Sequence, residues 1–189
     1  RFRYPEEVSM RTYKPTVKGH AVQIRKVIQE LEKAKRPLIY AGGGVTLSGA
    51  CEELRSFAEK FRIPVVSTMM GIGVMPTEHP MYFGMVGNNG KAYANRAMNE
   101  SDLLIMVGAR VADRSVNQPD IITHDKVLVH IDVDPAEIGK NAGPTIPLVG
   151  DARHIFADFE NQEFTCEHEE WIERLNEYRR TMKQTRHPN

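Results

Sequence analysis

Short, uninterrupted apolar segments recur along this chain and are separated by turn residues and amphipathic helical segments. Five such segments stand at residues 37–41, 64–68, 103–107, 127–131 and 145–149. Strands that are buried on both faces have this near-continuous apolar character, and parallel sheets are buried on both faces because crossover helices cover them. The pattern predicts an α/β fold of the Rossmann-like, doubly wound type, with a mostly parallel sheet of six or nearly six strands and helices on both faces.

Turn-forming and capping residues predict where individual elements begin and end. Ser48 is expected to cap the helix that buries Leu54 and Phe57. Pro135 is expected to begin a short helix, and Pro147 to lie in an edge strand, because proline cannot donate to a sheet ladder. The five glycines and two prolines of residues 69–90 predict a long loop, and such loops usually carry function.

Changes in the sequence pattern divide the chain into three parts. We expect residues 1–19 to be an inter-domain linker, residues 20–160 to be one domain, and residues 161–189 to form a C-terminal helix and a further linker. Trp171 and Leu175 lie on one stripe of that helix. They are expected to pack against the sheet, since a stripe of large apolar groups is unfavourable in water.

Composition excludes several functional classes. The 25 basic and 25 acidic residues are scattered, so the chain carries no electrostatic footprint for nucleic acid or an anionic membrane. No apolar stretch approaches the roughly 20 residues that span a bilayer. With no signal peptide and no initiating methionine at its start, the chain is expected to be cytoplasmic and cut from a longer polypeptide. Its two cysteines, Cys51 and Cys166, are too few for a disulfide framework.

Gly42, Gly43 and Gly44 follow the first apolar segment, where doubly wound sheets bind phosphates. Glycine lets the main chain approach a ligand closely. The spacing matches neither G-x-G-x-x-G nor a P-loop. The triplet therefore leaves two alternatives open, a ligand cradle and a tight structural turn.

Charged residues follow the third and fourth segments. Arg110, Asp113 and Arg114 come after the third, and two guanidinium groups there suit a pyrophosphate. A solvated loop with local ion pairs is the alternative. Asp132 ends the fourth segment, a position from which an acid often binds a ribose hydroxyl. It lies too far along the chain from the glycines for a standard NAD site.

The residue patterns of hydrolases and metalloenzymes are missing. Ser48, Ser67 and Ser115 lack the G-x-S-x-G setting of a nucleophile elbow. The seven histidines are dispersed and none forms H-x-x-x-H. We therefore assign no catalytic residue and no metal ligand to this chain.

Five segments closely resemble the central domain of acetolactate synthase catalytic subunits. They are Pro-Leu-Ile-Tyr-Ala-Gly-Gly-Gly at 37–44, Ile-Pro-Val-Val-Ser-Thr-Met-Met-Gly-Ile-Gly at 63–73, Tyr-Ala-Asn at 93–95, Asp-Leu-Leu-Ile-Met-Val-Gly-Ala-Arg at 102–110, and His-Ile-Asp-Val-Asp-Pro-Ala-Glu-Ile-Gly-Lys-Asn at 130–141. Their order and spacing match from about Tyr4 to the helix of Trp171. The chain is thus identified as a member of the thiamine-diphosphate enzyme superfamily.

The resemblance implies a three-domain parent enzyme that condenses two 2-oxo acids such as pyruvate, with loss of carbon dioxide, to 2-acetolactate for branched-chain amino-acid biosynthesis. It implies thiamine diphosphate and magnesium elsewhere in that enzyme, and FAD without a redox role in this domain. The implied partners are the other domains of the polypeptide, a homodimer or tetramer of the parent, and a candidate regulatory small subunit. Carried over by position, the FAD contacts are Gly42, Gly43, Gly44, Thr68, Met69, Met70, Val86, Gly87, Asn88, Asn89, Gly108, Ala109, Arg110, Arg114, Asp132, Val133, Glu137, Asp151 and Ala152.

Two departures from the family pattern predict weak flavin binding. Gly-Asn-Asn-Gly at 87–90 replaces Gly-Met-His-Gly, and Arg-Val-Ala-Asp-Arg at 110–114 replaces Arg-Phe-Asp-Asp-Arg. The cofactor-activating Glu and the Gly-Asp-Gly magnesium motif of the superfamily are absent, so the isolated chain is expected to be inactive. The alternatives are the same domain of a carboligase or pyruvate oxidase, and a flavin-free structural module.

Overall fold

The computed structural model describes residue 3, residues 15–111 and residues 122–182. It contains one six-stranded sheet in which every neighbouring pair of strands is parallel. The strands are β1 (Pro37–Ala41), β2 (Val65–Ser67), β3 (Tyr82–Met85), β4 (Leu103–Val107), β5 (Val127–Asp132) and β6 (Ile146–Val149), in the order β3-β2-β1-β4-β5-β6. This is the strand order of dinucleotide-binding folds. The predicted Rossmann-like α/β class is confirmed.

Helices cover both faces of the sheet and bury two separate apolar clusters. The helices are α1 (Ala21–Lys33), α2 (Gly43–Leu47), α3 (Cys51–Lys60), α4 (Ala92–Glu100), α5 (Ala152–Glu160) and α6 (Glu169–Thr181), with a 3-10 turn at Met69–Gly71. Helices α1, α3 and α5 pack on one face, and α4 and α6 on the other. All five residues of β1 and of β4 are buried, which explains why both strands read as unbroken apolar segments.

Helix α6 is docked on the sheet domain. Trp171 is 2% exposed and Leu175 is fully buried, and the indole Nε1 of Trp171 donates to the carbonyl of Pro37 at 3.1 Å. The hydroxyl of Tyr178 donates to Glu100 of α4 at 2.9 Å. The predicted packing of Trp171 and Leu175 against the sheet is confirmed.

The two edge strands are protected in different ways. Strand β6 carries Pro147 and lies at one edge, as its proline predicts. At the other edge, Arg179 of α6 donates to the carbonyl of Tyr82 at 2.7 Å, and its guanidinium lies 4.1 Å from the ring centre of Phe83. Charge and proline both discourage pairing with a further strand.

Three local expectations were wrong. The region 69–90 is not one loop, because Tyr82–Met85 forms β3. This strand has four residues and contains Gly84 at φ +85°, so it is too short to show periodicity. Ser48 caps no helix start; its hydroxyl bonds the carbonyl of Val45, and Ala50 precedes α3. Pro135 lies in a run of turns and begins no helix.

No helix among the described residues is both long enough and apolar enough to cross a membrane.

Candidate functional site

Most residues predicted to bind a cofactor follow the carboxyl ends of the strands, and Glu137 lies in the turn beyond β5. Arg114 and its neighbour Asp113 lie outside the described residues. Gly42–Gly44 come after β1, residues 68–70 after β2, residues 86–89 after β3, residues 108–110 after β4, 132–133 at the end of β5, and 151–152 after β6. Because all six strands are parallel, these turns lie along one edge of the sheet. We call this row of turns the carboxyl edge.

The glycine turn after β1 is locked to the turn after β4. The N–H of Gly42 donates to the carbonyl of Val107 at 2.9 Å, and that of Gly44 to the carbonyl of Gly108 at 3.0 Å. A Cβ on Gly44 would lie 2.6 Å from the Cα of Gly108, and one on Gly42 would overlap the Gly108 carbonyl. The triplet therefore packs tightly on the turn after β4, and two of its three N–H groups already have partners inside the fold.

The turn after β2 exposes two methionines beside the glycines. Thr68 is 7% exposed, and its hydroxyl accepts from Gly71 N at 3.0 Å. Met69 and Met70 are 64% and 73% exposed, and Met70 lies against Gly43. Of the side chains in this segment, only those of Met69 and Met70 are available to a ligand. Exposed thioethers suit a flat aromatic ring.

The turn after β3 is held by a residue that sequence reasoning did not assign. The side-chain Oδ1 of Asn95 on α4 accepts from Gly87 N at 2.8 Å, and its Nδ2 donates to Gly87 O at 3.0 Å. Asn88 and Asn89 are exposed, whereas Val86 is buried. The motif Tyr-Ala-Asn was part of the resemblance, but nothing in its spacing showed which turn Asn95 fixes.

Arg110 is a largely exposed charge at the carboxyl edge. Its side chain is 78% exposed, and its Nε lies 3.5 Å from Oε2 of Glu137. Glu137 is 15% exposed and also accepts from Lys140 Nζ at 2.9 Å. The structure thus brings together Arg110 and Glu137, which the resemblance had assigned separately, and it leaves most of the guanidinium free to meet an anion.

The other predicted acids have partners in their own turns. Oδ1 of Asp132 accepts from Asp134 N at 2.9 Å, and Oδ1 of Asp151 accepts from Arg153 N at 2.9 Å, capping α5. Ala152 and Ala109 are buried, so they can meet a ligand only through main-chain atoms. Val133, which follows β5, is an apolar side chain that is 40% exposed.

Comparison with known families decides the classification. Residues 24–159 match the family model described as "Thiamine pyrophosphate enzyme, central domain". The match covers most of the chain and the whole sheet. The chain belongs to this family. The resemblance predicted from sequence is confirmed at the level of the central domain.

Named relatives of this central domain are acetolactate synthase large subunits. It is 42% identical to the "Probable acetolactate synthase large subunit" of Methanocaldococcus jannaschii over 93% of this chain and 30% of the relative. It is 36% identical to the large subunit of Haemophilus influenzae over 94% of this chain and 32% of that relative. For the isozyme 3 large subunit of Escherichia coli, identity is 40% over 80% of this chain and 26% of the relative. The chain thus spans about a third of its relatives or less.

A buried histidine below the carboxyl edge was also missed. His130 on β5 is 2% exposed, and neither ring nitrogen has a hydrogen-bond partner among the described residues. Burial lowers the pKa of this imidazole, while Asp132 and Glu137 act in the opposite direction. The sequence places His130 inside an apolar strand, but it does not show that the imidazole lacks a hydrogen-bond partner among the described residues.

The described part of the central domain offers no cluster of metal ligands, and its Cys166 thiol is not activated. No group of three or more His, Cys, Asp or Glu residues there could hold a metal ion. Burial raises the pKa of the Cys166 thiol to about 11, with a further contribution from Glu32, so this cysteine is a poor nucleophile at neutral pH.

Proposed function

We propose that this chain is the FAD-holding central domain of an acetolactate synthase catalytic subunit. The parent enzyme would condense two 2-oxo acids such as pyruvate, with decarboxylation, to 2-acetolactate, using thiamine diphosphate and magnesium bound by other domains. The proposal is supported by large-subunit relatives at 36–42% identity that match 80–94% of the chain. We retain residues 20–160 as the domain proper, residues 1–19 as a linker and 161–189 as a helix and linker.

The chemistry of the carboxyl edge fits FAD. Met69 and Met70 offer exposed thioethers for a flat ring system, and Arg110 offers a largely free guanidinium for a pyrophosphate. Asp132 and Glu137 are hydrogen-bond acceptors suited to hydroxyl donors. The resemblance to acetolactate synthase implies a flavin without a redox role, which would therefore serve to organise the site and its neighbouring domains.

Flavin titration into two matched variants tests this assignment. We expect Arg110→Ala to weaken FAD binding by roughly ten- to a hundredfold, since a charge-assisted contact contributes about 1.5 to 3 kcal/mol. Arg55→Ala removes an arginine that is ion-paired with Glu52 inside α3 and should leave the affinity unchanged. Equal affinities for wild type and both variants would mean that the site is placed wrongly.

Activity of the isolated chain is a second test. With pyruvate, thiamine diphosphate, magnesium and FAD supplied, we expect no acetolactate above background, because the chain carries neither the activating Glu nor the magnesium motif. Turnover by the purified chain would contradict its assignment as a non-catalytic domain. Assembly as a homodimer or tetramer, a regulatory small subunit and a cytoplasmic location belong to the same proposal.

A flavin-free structural module is the second candidate function. It is favoured by one observation: Gly42 N–H and Gly44 N–H bond the turn after β4, which leaves fewer main-chain donors for a phosphate. An absorbance spectrum of the purified protein separates the two candidates, because bound flavin absorbs blue light and an empty module does not. The same domain of a carboligase or pyruvate oxidase would also bind flavin, and the flanking sequence of the parent distinguishes it.

A further inference from the structure

A groove of about 870 Å³ lies between α1, β6 and the segment that precedes α1. We call it the α1–β6 groove; its walls include Lys18, His20, Val22, Lys26, Pro147 and Leu148. It lies beside an edge strand, whereas the glycine turns follow central strands. None of the residues assigned to the flavin lines it, so the proposed cofactor leaves this groove unexplained.

Every charged side chain that lines the groove is a potential cation. Lys18 and Lys26 are exposed, as is His20. No aspartate or glutamate is among its lining residues, all of which the structure describes. The first turn of α1 contains no acidic residue either, so the positive end of the helix dipole adds to the same potential. The groove therefore favours a partner with negative charge.

Apolar surface lies between these charges. Val22 is 43% exposed, and Pro147 in the wall is exposed as well. A small inorganic anion would leave these side chains uncovered. Nucleic acid is disfavoured because the wall contains no aromatic side chain on which a base could stack.

An edge strand of the sheet forms one wall of the groove. Strand β6 pairs only with β5 among the described strands, but Pro147 has no N–H and its carbonyl already accepts from Gln23 Nε2 at 3.3 Å. The segment before α1 also bonds this end of the sheet, from Asp151 N to Val17 O at 2.9 Å. A bound segment would therefore be held by side-chain contacts with the groove walls and not by pairing with β6.

We propose that the α1–β6 groove is a docking surface for an extended acidic protein segment in which carboxylates alternate with aliphatic side chains. The carboxylates would meet Lys18 and Lys26, and the aliphatic groups would cover Val22 and Pro147. The partner is defined by this chemistry, and the groove acts independently of the flavin site.

Fluorescence anisotropy with a labelled peptide, acetyl-Glu-Val-Glu-Val-Glu-amide, tests the proposal on the full chain. We expect saturable binding with a dissociation constant on the order of 0.1 to 1 mM, weakening when salt rises from about 0.05 to 0.3 M. The double variant Lys18→Glu/Lys26→Glu should bind at least about tenfold more weakly, or 1.4 kcal/mol. The control Lys33→Glu/Lys35→Glu has the same net charge, changes exposed residues at the other end of α1, and should bind like wild type.

Three results would overturn the proposal: equal loss in the two double variants, equal binding of the matched Lys-Val-Lys-Val-Lys peptide, or no saturation at about 5 mM peptide. Displacement of the peptide by equimolar inorganic phosphate would also overturn it, since the groove would then be a simple anion site. If the charge-reversed protein does not fold, amide shifts in wild type decide the matter. Shifts at Val22 and Leu148 support the groove, and shifts confined to other regions contradict it.

Discussion

At the carboxyl ends of β1 and β4 the main chain of one turn packs directly on the main chain of the other, whereas at the amino ends of these strands a side chain also joins the two turns. The Gly42–Gly44 turn meets Gly108 without any intervening side chain. At the amino ends, the carboxylate of Asp102 accepts from Lys35 N at 3.0 Å and from Arg36 N at 2.9 Å. The same strands thus have one end that allows close main-chain approach and another that is closed by polar side chains.

The amino end is closed further by donors that satisfy helix carbonyls. Lys126 Nζ donates to Met98 O at 2.7 Å and to Asn99 O at 3.2 Å at the end of α4. Arg36 Nε donates to Glu100 O at 2.6 Å. Such contacts satisfy the carbonyls that a helix leaves unpaired at its end. Long polar side chains therefore stabilise this end, where none of the large apolar residues that the structure describes is as exposed as Met69 and Met70.

The two ends should therefore respond to mutation in different ways. Replacing a glycine of the Gly42–Gly44 turn creates main-chain overlap, which nothing nearby can relieve. Substitutions at the amino end remove packing or hydrogen bonds, for which water can partly substitute.

Gly42→Ala should abolish folding or destabilise the domain by more than about 4 kcal/mol. The new Cβ would overlap the Gly108 carbonyl and lie 2.5 Å from the Cα of Ala109, and main-chain atoms cannot rotate away. Gly143→Ala is the matched control because no atom lies within 4 Å of its added Cβ; its effect should stay within about 0.5 kcal/mol. Urea denaturation followed by circular dichroism measures the stability of both variants. Equal stability would contradict the close contact between the Gly42–Gly44 turn and Gly108.

This glycine contact also marks a limit of prediction from sequence. Apolar continuity was sufficient to predict β1 and β4, because a strand buried on both faces has no polar positions. The triplet itself fits both a ligand cradle and a structural turn. The tight packing of the triplet depends on Gly108, which has φ +53° and lies 64 residues further along the chain than Gly44. That proximity arises from sheet order, which no local pattern encodes.

The candidate site was predicted in the same uneven way. Because the ends of parallel strands share an edge, positions such as Arg110 and Asp132 could be grouped from the order of strands. The pairing of Arg110 with Glu137, the bonds from Asn95 to Gly87, and the burial of His130 depend on tertiary contacts between turns. Such contacts leave no periodic trace in the sequence.

Trp171→Ala tests the closed amino end and should cost about 3 to 5 kcal/mol. The substitution removes a nearly fully buried indole and its bond to the Pro37 carbonyl at the start of β1. Glu173→Ala, on the exposed side of the same helix, should change stability by less than about 0.5 kcal/mol. Amide exchange adds a local measurement: rapid exchange throughout residues 169–181 of the wild type would contradict the docking of α6.

The smallest expected effect is a dependence of the free energy of unfolding on pH, caused by Lys126. Burial first, and then the nearby Arg36, lower the pKa of Lys126 to about 8 against an opposing effect of Asp102. In the unfolded chain the pKa of lysine is about 10.4. Between these values the unfolded state binds more protons than the folded state, so the free energy of unfolding from this group rises with pH. Below about pH 8 both states are protonated and Lys126 contributes no slope.

Chemical denaturation of wild type and Lys126→Arg at several pH values from about 7 to 10 measures this contribution. The guanidinium keeps its proton throughout this range, so the variant should lack the rise that wild type shows above about pH 8. Lys33→Arg replaces an exposed lysine that is paired with Glu30 and should retain the wild-type slope. If the free energy of unfolding changes with pH in the same way for wild type and Lys126→Arg, the Lys126 amine is not in a buried environment. That result would contradict its contacts with the end of α4.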